Sequence, residues 1–588
     1  MACLGRRQAI GLLSSGVAAF VTTRGTLMAS TPANTSSARP GADAAQAGRP
    51  RPVALASYRP AIHFTPPHGF MNDPNGLIWD GKVFHLYYQY NPHGTHAGYV
   101  HWGHATSPDL YNWHDQPVAI SVSEAGQAFS GSVVLDRHNR SGLFPQLPLA
   151  HQEAADLKAA IAAISGPGAA SAFAQNKASQ DGEGGLVAIY TRSRPHSQTQ
   201  FVAWSPNQGT TYLDWPGDPV LDIASDSYRD PKVFWHEASQ KWVMALVQAR
   251  ARKVSFYGSA DLLHWRHLSD FGPAGLRGVD YECPCLVELP VAGEGTPGES
   301  QTRWVLFVSI NPGAPLGGSG TQYFVGDFDG ERFTPENTLL GLLDFAKDCY
   351  AMQTYNDMPS NDVPGGAAVY LAWLSNWQYC NELPTQGWRG AMTLPREMRL
   401  RRDGEGWLRL VQQPWQLERL REAPLPFRAH RLGPMERAHT PLPANLAVEI
   451  EVTVRLEQGP GSQPGRFVIA FVNRGTATMP GEELTVGVDL QTNQLWLDRS
   501  GLRGYSQPFF TGQFSEALPA GLERVELRII LDASTLEVYA QRGMCVGTAL
   551  VFPANPLNGL ELRAENAQVT VHEARVWPLR PTMAANRG

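Results

Sequence analysis

Three short acidic motifs contain the residues best suited to chemistry. Asn72-Asp73-Pro74-Asn75-Gly76, Arg229-Asp230-Pro231-Lys232 and Asp280-Tyr281-Glu282-Cys283-Pro284 each set a carboxylate on a turn beside an apolar stretch. Pro74 fixes its own φ and biases Asp73 toward extended backbone, so Asp73 enters its strand already restricted, and Asp230 likewise precedes a proline. Each motif alone has a plain structural reading: a β-turn, an Arg–Asp pair at a strand entry, a strand-end Glu. The three lie 157 and 52 positions apart, which places them on separate structural repeats. Gathered in one pocket, they would split their roles. Burial and like-charge crowding raise the pKa of one carboxyl, while Arg229 and nearby donors keep another anionic. One group can then give a proton while a second attacks, which is the requirement for cleaving a glycosidic bond.

The elements that would position them are short strands and turns from residue 60 onward, with almost no helical periodicity. Leu77-Ile78-Trp79 and Lys82 to Gln89 read as a hairpin closed by Asp80-Gly81, and residues 324–333 repeat the arrangement around Asp329-Gly330. Val233-Phe234-Trp235 and Lys241 to Leu246 form another pair. A faint repeat links Ser107-Pro108-Asp109-Leu110-Tyr111-Asn112-Trp113 to Ser259-Ala260-Asp261-Leu262-Leu263-His264-Trp265, with a looser copy ending at Trp215. Such repeated strand units predict propeller blades. Residues 149–185 are Ala-rich and read as an insertion on one blade. After about residue 421, alternating strands with Gly, Asn and Asp turns predict an antiparallel sandwich, its acidic residues facing solvent and none of them catalytic.

Composition limits what the chain could do. At 588 residues, 43% hydrophobic and 17% charged, it is long enough for two to four folded units. A net charge of −6, without basic runs interleaved with aromatics, excludes a nucleic-acid partner. Arg6-Arg7 before the apolar run 10–21 resembles a twin-arginine export signal, too short to span a bilayer, and no later stretch reads as a membrane span. Residues 1–52 are expected to be signal and linker, 53–421 the first folded unit and 422–588 the second. Cys283, Cys285, Cys349, Cys380 and Cys545 lack zinc spacing; they read as buried thiols, with a bridge among Cys283, Cys349 and Cys380 left open.

The motifs together resemble glycoside hydrolase family 32, the invertase, inulinase and levanase group. The resemblance rests on His63-Phe64-Thr65-Pro66, Asn72 to Gly76, Tyr88-Gln89-Tyr90-Asn91-Pro92, His101-Trp102-Gly103-His104-Ala105, Phe129-Ser130-Gly131-Ser132, Arg229-Asp230-Pro231, Glu282-Cys283-Pro284 and Trp388 to Arg396. It implies an all-β chain: a five-bladed β-propeller followed by a β-sandwich. It further implies Asp73 as nucleophile, Glu282 as general acid/base and Asp230 as transition-state stabiliser. Asn72, Gln89, Trp102, Phe129, Ser130 and Arg229 match the pocket for a terminal fructose, and Asp344 and Lys347 match positions that contact substrate. Trp377 reads either as pocket wall or as core. No metal or cofactor is implied. The expected substrates are levan, inulin and sucrose, handled by an exported bacterial enzyme. A fructotransferase, an endo-levanase and a non-catalytic fructan-binding protein are the alternatives.

Overall fold

The computed structural model describes residues 58–144, 184–293, 301–359, 366–443, 447–458, 465–475, 480–519 and 521–583. The expected signal and linker, and all but the last two residues of the 149–185 insertion, lie outside them. The described residues form seven sheets, joined by turns and a few 3-10 turns.

Five of these sheets make the blades of a propeller. Their first strands are Gly69–Trp79, Gln127–Asp136, Tyr228–His236, Asp280–Pro290 and Tyr350–Thr354. Each touches the next, and the last touches the first, so the five line a closed ring. Trp388–Arg389, from the fifth blade's sequence, adds a parallel strand to Gly69–Phe70 of the first and ties the ring.

Side chains on a strand alternate between faces, and both faces of a blade pack against neighbours. In Lys241–Gln248, Val243, Ala245 and Val247 enter the core shared with the fourth blade, whereas Trp242, Met244 and Leu246 enter the core shared with the second. This is why the strands read as unbroken apolar runs. The repeated Ser-x-Asp turns form as one motif: Asp109 Oδ1 accepts Tyr111 and Asn112 N–H, and Asp261 Oδ1 accepts Leu263 and His264 N–H. Both turns hold a leucine in the left-handed region, Leu110 at φ 66° and Leu262 at φ 67°.

The remaining two sheets have six strands each and enclose one core containing Ile450, Phe467, Val486, Leu527 and Val538. The expectation of a solvated acidic face holds for Glu457, Glu483 and Glu573 but fails at the seam with the propeller. Glu449, Glu537 and Asp532 are buried. Each has a cation beside it: Glu449 faces Arg421 and Arg528, Glu537 faces Arg396, and Asp532 faces His63. Alternation identifies the face that leaves the sandwich core, but here that face meets the propeller, not water. All five described cysteines are free thiols, so no bridge joins Cys283, Cys349 and Cys380.

Candidate active site

Every first strand of the propeller breaks register at the same level. The shifts fall between Met71 and Pro74, Ala128 and Gly131, Glu282 and Cys285, and Tyr350 and Gln353, and opposite Ala245/Val247 in the third blade. A bulge leaves residues unpaired and re-aims their side chains. The residues released are Asn72-Asp73, Phe129-Ser130, Asp230-Pro231, Cys283-Pro284 and Ala351-Met352. Asp230, Cys283 and Ala351 adopt φ of 66°, 45° and 54°, uncommon for non-glycine residues and a form of strain that collects at working sites. Gly76 has φ 53°, and a Cβ there would stand 2.7 Å from the Tyr87 ring and 2.8 Å from Val133. Only glycine lets the first strand pass this close to the second blade.

The bulges bring Asp73, Asp230 and Glu282 to one place. Cys283 links the first two: its Sγ lies 3.3 Å from Asp73 Oδ2 and 3.7 Å from Asp230 Oδ2, while its backbone N–H donates to Asp230 Oδ2 at 3.0 Å. Burial, reinforced by the three carboxylates, pushes the Cys283 thiol well up, so it remains an S–H donor. Asp73 also accepts from Ser130 Oγ at 2.8 Å and from Asn72 Nδ2 at 3.1 Å. Arg229 Nη2 donates to Glu282 Oε1 at 2.9 Å, Arg229 Nε stands 3.8 Å from Asp230 Oδ2, and the Tyr350 hydroxyl donates to Glu282 Oε2.

Burial, with the Glu282 charge added, pushes Asp73 up to about 6. Burial also raises Asp230, to about 7; Arg229 opposes the rise, and Glu282 and Asp73 add to it. Because the Asp73 charge helps raise Asp230, these two titrate together, and the pair retains a proton near neutrality. Of the three side chains, Glu282 is the most open, at 20% exposure against 7% for Asp230.

The other expected pocket residues divide. Asn72, Gln89, Ser130 and Arg229 are buried around the cluster, and Phe129 is half-buried. Trp102 is fully buried and donates its Nε1–H to Phe129 O at 2.9 Å, which makes it a support behind the pocket wall. Trp373 is fully buried, whereas Trp377 is half-buried, with its ring centroid 4.9 Å from that of Trp373 and 6.4 Å from that of Phe70.

Asp344 and Lys347 are corrections. The Asp344 carboxylate accepts the Thr548 N–H at 2.8 Å and the Thr548 hydroxyl, and Lys347 Nζ donates to Phe509 O at 2.8 Å. Both side chains hydrogen-bond residues of the sandwich. A motif position carries no information about which distant loop will meet it.

Sequence reasoning also missed three contributors, Asn75, Cys283 and Tyr350. Oriented by its partners, the Asn75 amide oxygen accepts from Gln89 Nε2 at 3.0 Å and Trp102 Nε1 at 3.2 Å, and its nitrogen donates to Ser130 Oγ at 3.2 Å. Asn75 and Cys283 each lie within two residues of a flagged carboxylate, which was the available signal. Tyr350 had none.

Both halves of the chain match known proteins. Residues 63–414 match the model for the glycosyl hydrolases family 32 N-terminal domain, and residues 416–578 match that for the family 32 C terminal. A levanase from Bacillus subtilis is 37% identical over 530 residues, covering 89% of this chain and 70% of the relative. An extracellular exo-inulinase from Meyerozyma guilliermondii is 36% identical over 546 residues, covering 90% and 96%. Among solved structures, the fructofuranosidase from Schwanniomyces occidentalis complexed with fructose superposes with a TM-score of 0.77 at 32% identity, over 90% of this chain and 99% of that one. With both halves of the chain matched and the acids of three blades converging, this protein belongs to glycoside hydrolase family 32.

Proposed function

We propose that this enzyme is an exported, retaining β-fructofuranosidase that releases terminal fructose from levan or inulin and also cleaves sucrose. Asp73 is the nucleophile. Its carboxylate attacks the anomeric C2 of the terminal fructosyl unit as the bond to the leaving oxygen breaks. Glu282 gives that oxygen its proton, then takes one from the water that attacks C2 and returns Asp73 to its free form. Asp230 stabilises the positive charge that builds on the ring between these states. Two displacements at one carbon retain configuration.

The observation that carries this reading is the shared contact of Cys283 with Asp73 and Asp230, together with the Arg229 link to Glu282. It brings three acids in three different environments together. The division of labour follows those environments. Asp73 is buried and held by three side-chain donors, which suits a fixed nucleophile. Glu282 is the most accessible, which suits a group that must exchange protons with solvent. The export reading draws on the Arg6-Arg7 leader and on the extracellular exo-inulinase relative. No helix of the described residues is long and apolar enough to cross a membrane.

The product profile on levan, inulin and sucrose tests the proposal. Free fructose is expected as the sole early product from polymer. Levanbiose, inulotriose or a difructose anhydride appearing first would replace it with an endo-enzyme or a fructotransferase. The pH profile is a second test. Asp73 must be anionic to attack, and its pKa is pushed up to about 6. kcat/KM on sucrose should therefore fall as pH drops through about 6. An acid limb near pH 4, the range of an unperturbed carboxyl, would mean that burial and the Glu282 charge do not raise Asp73 in the working enzyme.

A further inference from the structure

One guanidinium nitrogen serves two carboxylates. Arg229 Nη2 lies 2.9 Å from Glu282 Oε1 and also 2.9 Å from Asp280 Oδ2. Asp280 and Glu282 are two residues apart at the start of the strand Asp280–Pro290, ahead of its bulge, so the strand period puts both on one face. Asp280 is mostly buried and stands 2.5 Å from Nε of Arg250, which is exposed. The reaction steps above give Asp280 no task.

Its position suggests one. A cation in contact with a carboxyl favours the ionised form. Left alone, Arg229 would draw the proton off the very group that has to donate one. A second carboxylate on the same nitrogen divides that hydrogen bond and offsets the charge.

We propose that Asp280 is a positioning residue for Glu282: by sharing Arg229 Nη2, it lets Glu282 hold the proton that the leaving oxygen takes. This rests on the reading of Glu282 as the acid. The charged and titratable groups facing Glu282 are Arg229 and Asp230 from the third blade, Asp73 from the first, Tyr350 from the fifth, and Cys283 and Asp280 on its own strand. Arg250 faces Asp280 from the surface, and Arg252 and Arg277 flank Tyr281 between the two acids. Asp280 is the member of this set that shares the Arg229 Nη2 nitrogen with Glu282.

The test compares pH profiles of kcat/KM for the wild type, Asp280→Asn, Asp280→Ser and Asp280→Glu. Two substrates are used: sucrose, whose leaving group needs a proton, and p-nitrophenyl β-fructofuranoside, whose leaving group needs it far less. In the Asn and Ser variants the basic limb on sucrose should move toward acid by roughly one pH unit. The loss above neutral pH should be several-fold smaller on the nitrophenyl substrate, and Asp280→Glu should restore the limb. A loss that is uniform across pH and equal on both substrates, with the limb unmoved, would overturn the proposal. Glu282→Gln run in parallel separates the two failures. If it retains sucrose turnover, the acid assignment is wrong. If it abolishes turnover while the Asp280 variants leave the limb in place, only the role of Asp280 falls.

Discussion

Replacing Asp73 with Asn should leave an enzyme that is almost inactive and melts no lower than the wild type. The amide cannot attack C2, so turnover on sucrose should drop on the order of 10⁴-fold or more, as when other covalent nucleophiles are removed. Stability should move the other way. Burial and the Glu282 charge lift the Asp73 pKa to about 6 from 3.8, so ionising it inside the fold costs free energy. The sign follows from proton linkage: a raised carboxyl pKa favours the fold below the unfolded value, and this advantage is lost as pH rises through about 6. At pH 7 the native enzyme bears that cost, on the order of 1–3 kcal/mol, and the neutral Asn does not. Ser130 and Asn72 can still donate to the amide oxygen. Melting curves at pH 5 and pH 7 should show the variant's relative gain at both, about twice as large at the higher pH, because the cost of ionising Asp73 grows from pH 3.8 up to about 6. Wild-type turnover in this variant would end the nucleophile assignment. A variant that is dead and also less stable at pH 7 would mean that Asp73 is held for structure.

Much of this site was legible in the chain because the chemistry needs unusual local backbone, and unusual backbone leaves marks. Asp-Pro pairs, the glycine at position 76 and the Arg beside Asp230 all indicate side chains fixed at strand entries. The blades were legible for a related reason: strands packed on both faces read as apolar runs separated by turn residues. Register was not legible. Nothing in Phe129-Ser130 or Ala351-Met352 signals a bulge, since a bulge depends on the count of residues in the partner strand. Distant contacts were also hidden. Asp344, Lys347, Glu537 and Asp532 are ordinary acidic or basic residues in sequence, and only the meeting of propeller and sandwich gives each its partner. The two failed expectations, a pocket role for Asp344 and Lys347 and a solvated face for the sandwich acids at the seam, have the same origin.

That junction supports the second large effect. His63, from the segment that opens the propeller sequence, lies fully buried between two sandwich acids, with Nδ1 3.0 Å from Asp532 and Nε2 3.4 Å from Glu537. Glu537 also stands 3.1 Å from Arg396 Nη2 and accepts the Leu394 N–H at 2.9 Å. Burial alone would lower the His63 pKa, but hydrogen bonds and charge from Asp532 and Glu537 override it and hold it up to about 9. Burial would raise Glu537, yet the Arg396 charge and the His63 contact bring it down to about 2.

The two shifts bracket a pH window. The His63 contribution is full below 6.5 and is lost as pH climbs through about 9. The Glu537 contribution is full above 4.5 and is lost as pH falls through about 2. Between these limits, Glu537→Gln should cost about 3–5 kcal/mol, because it leaves Arg396 and a protonated His63 buried with too little countercharge. In a chain this long, that amounts to a drop of a few degrees in melting temperature, accompanied by faster thermal inactivation. kcat on sucrose at 25 °C should remain near wild type, since Glu537 bonds His63, Arg396, Tyr539 and the Leu394 N–H rather than any of the three carboxylates. The double variant His63→Gln/Glu537→Gln should recover part of the loss by removing one stranded charge. If Glu537→Gln melts with the wild type at pH 7, the ion cluster does not hold the two parts together, and the seam must owe its stability to apolar packing around Leu394, Leu417 and Val546.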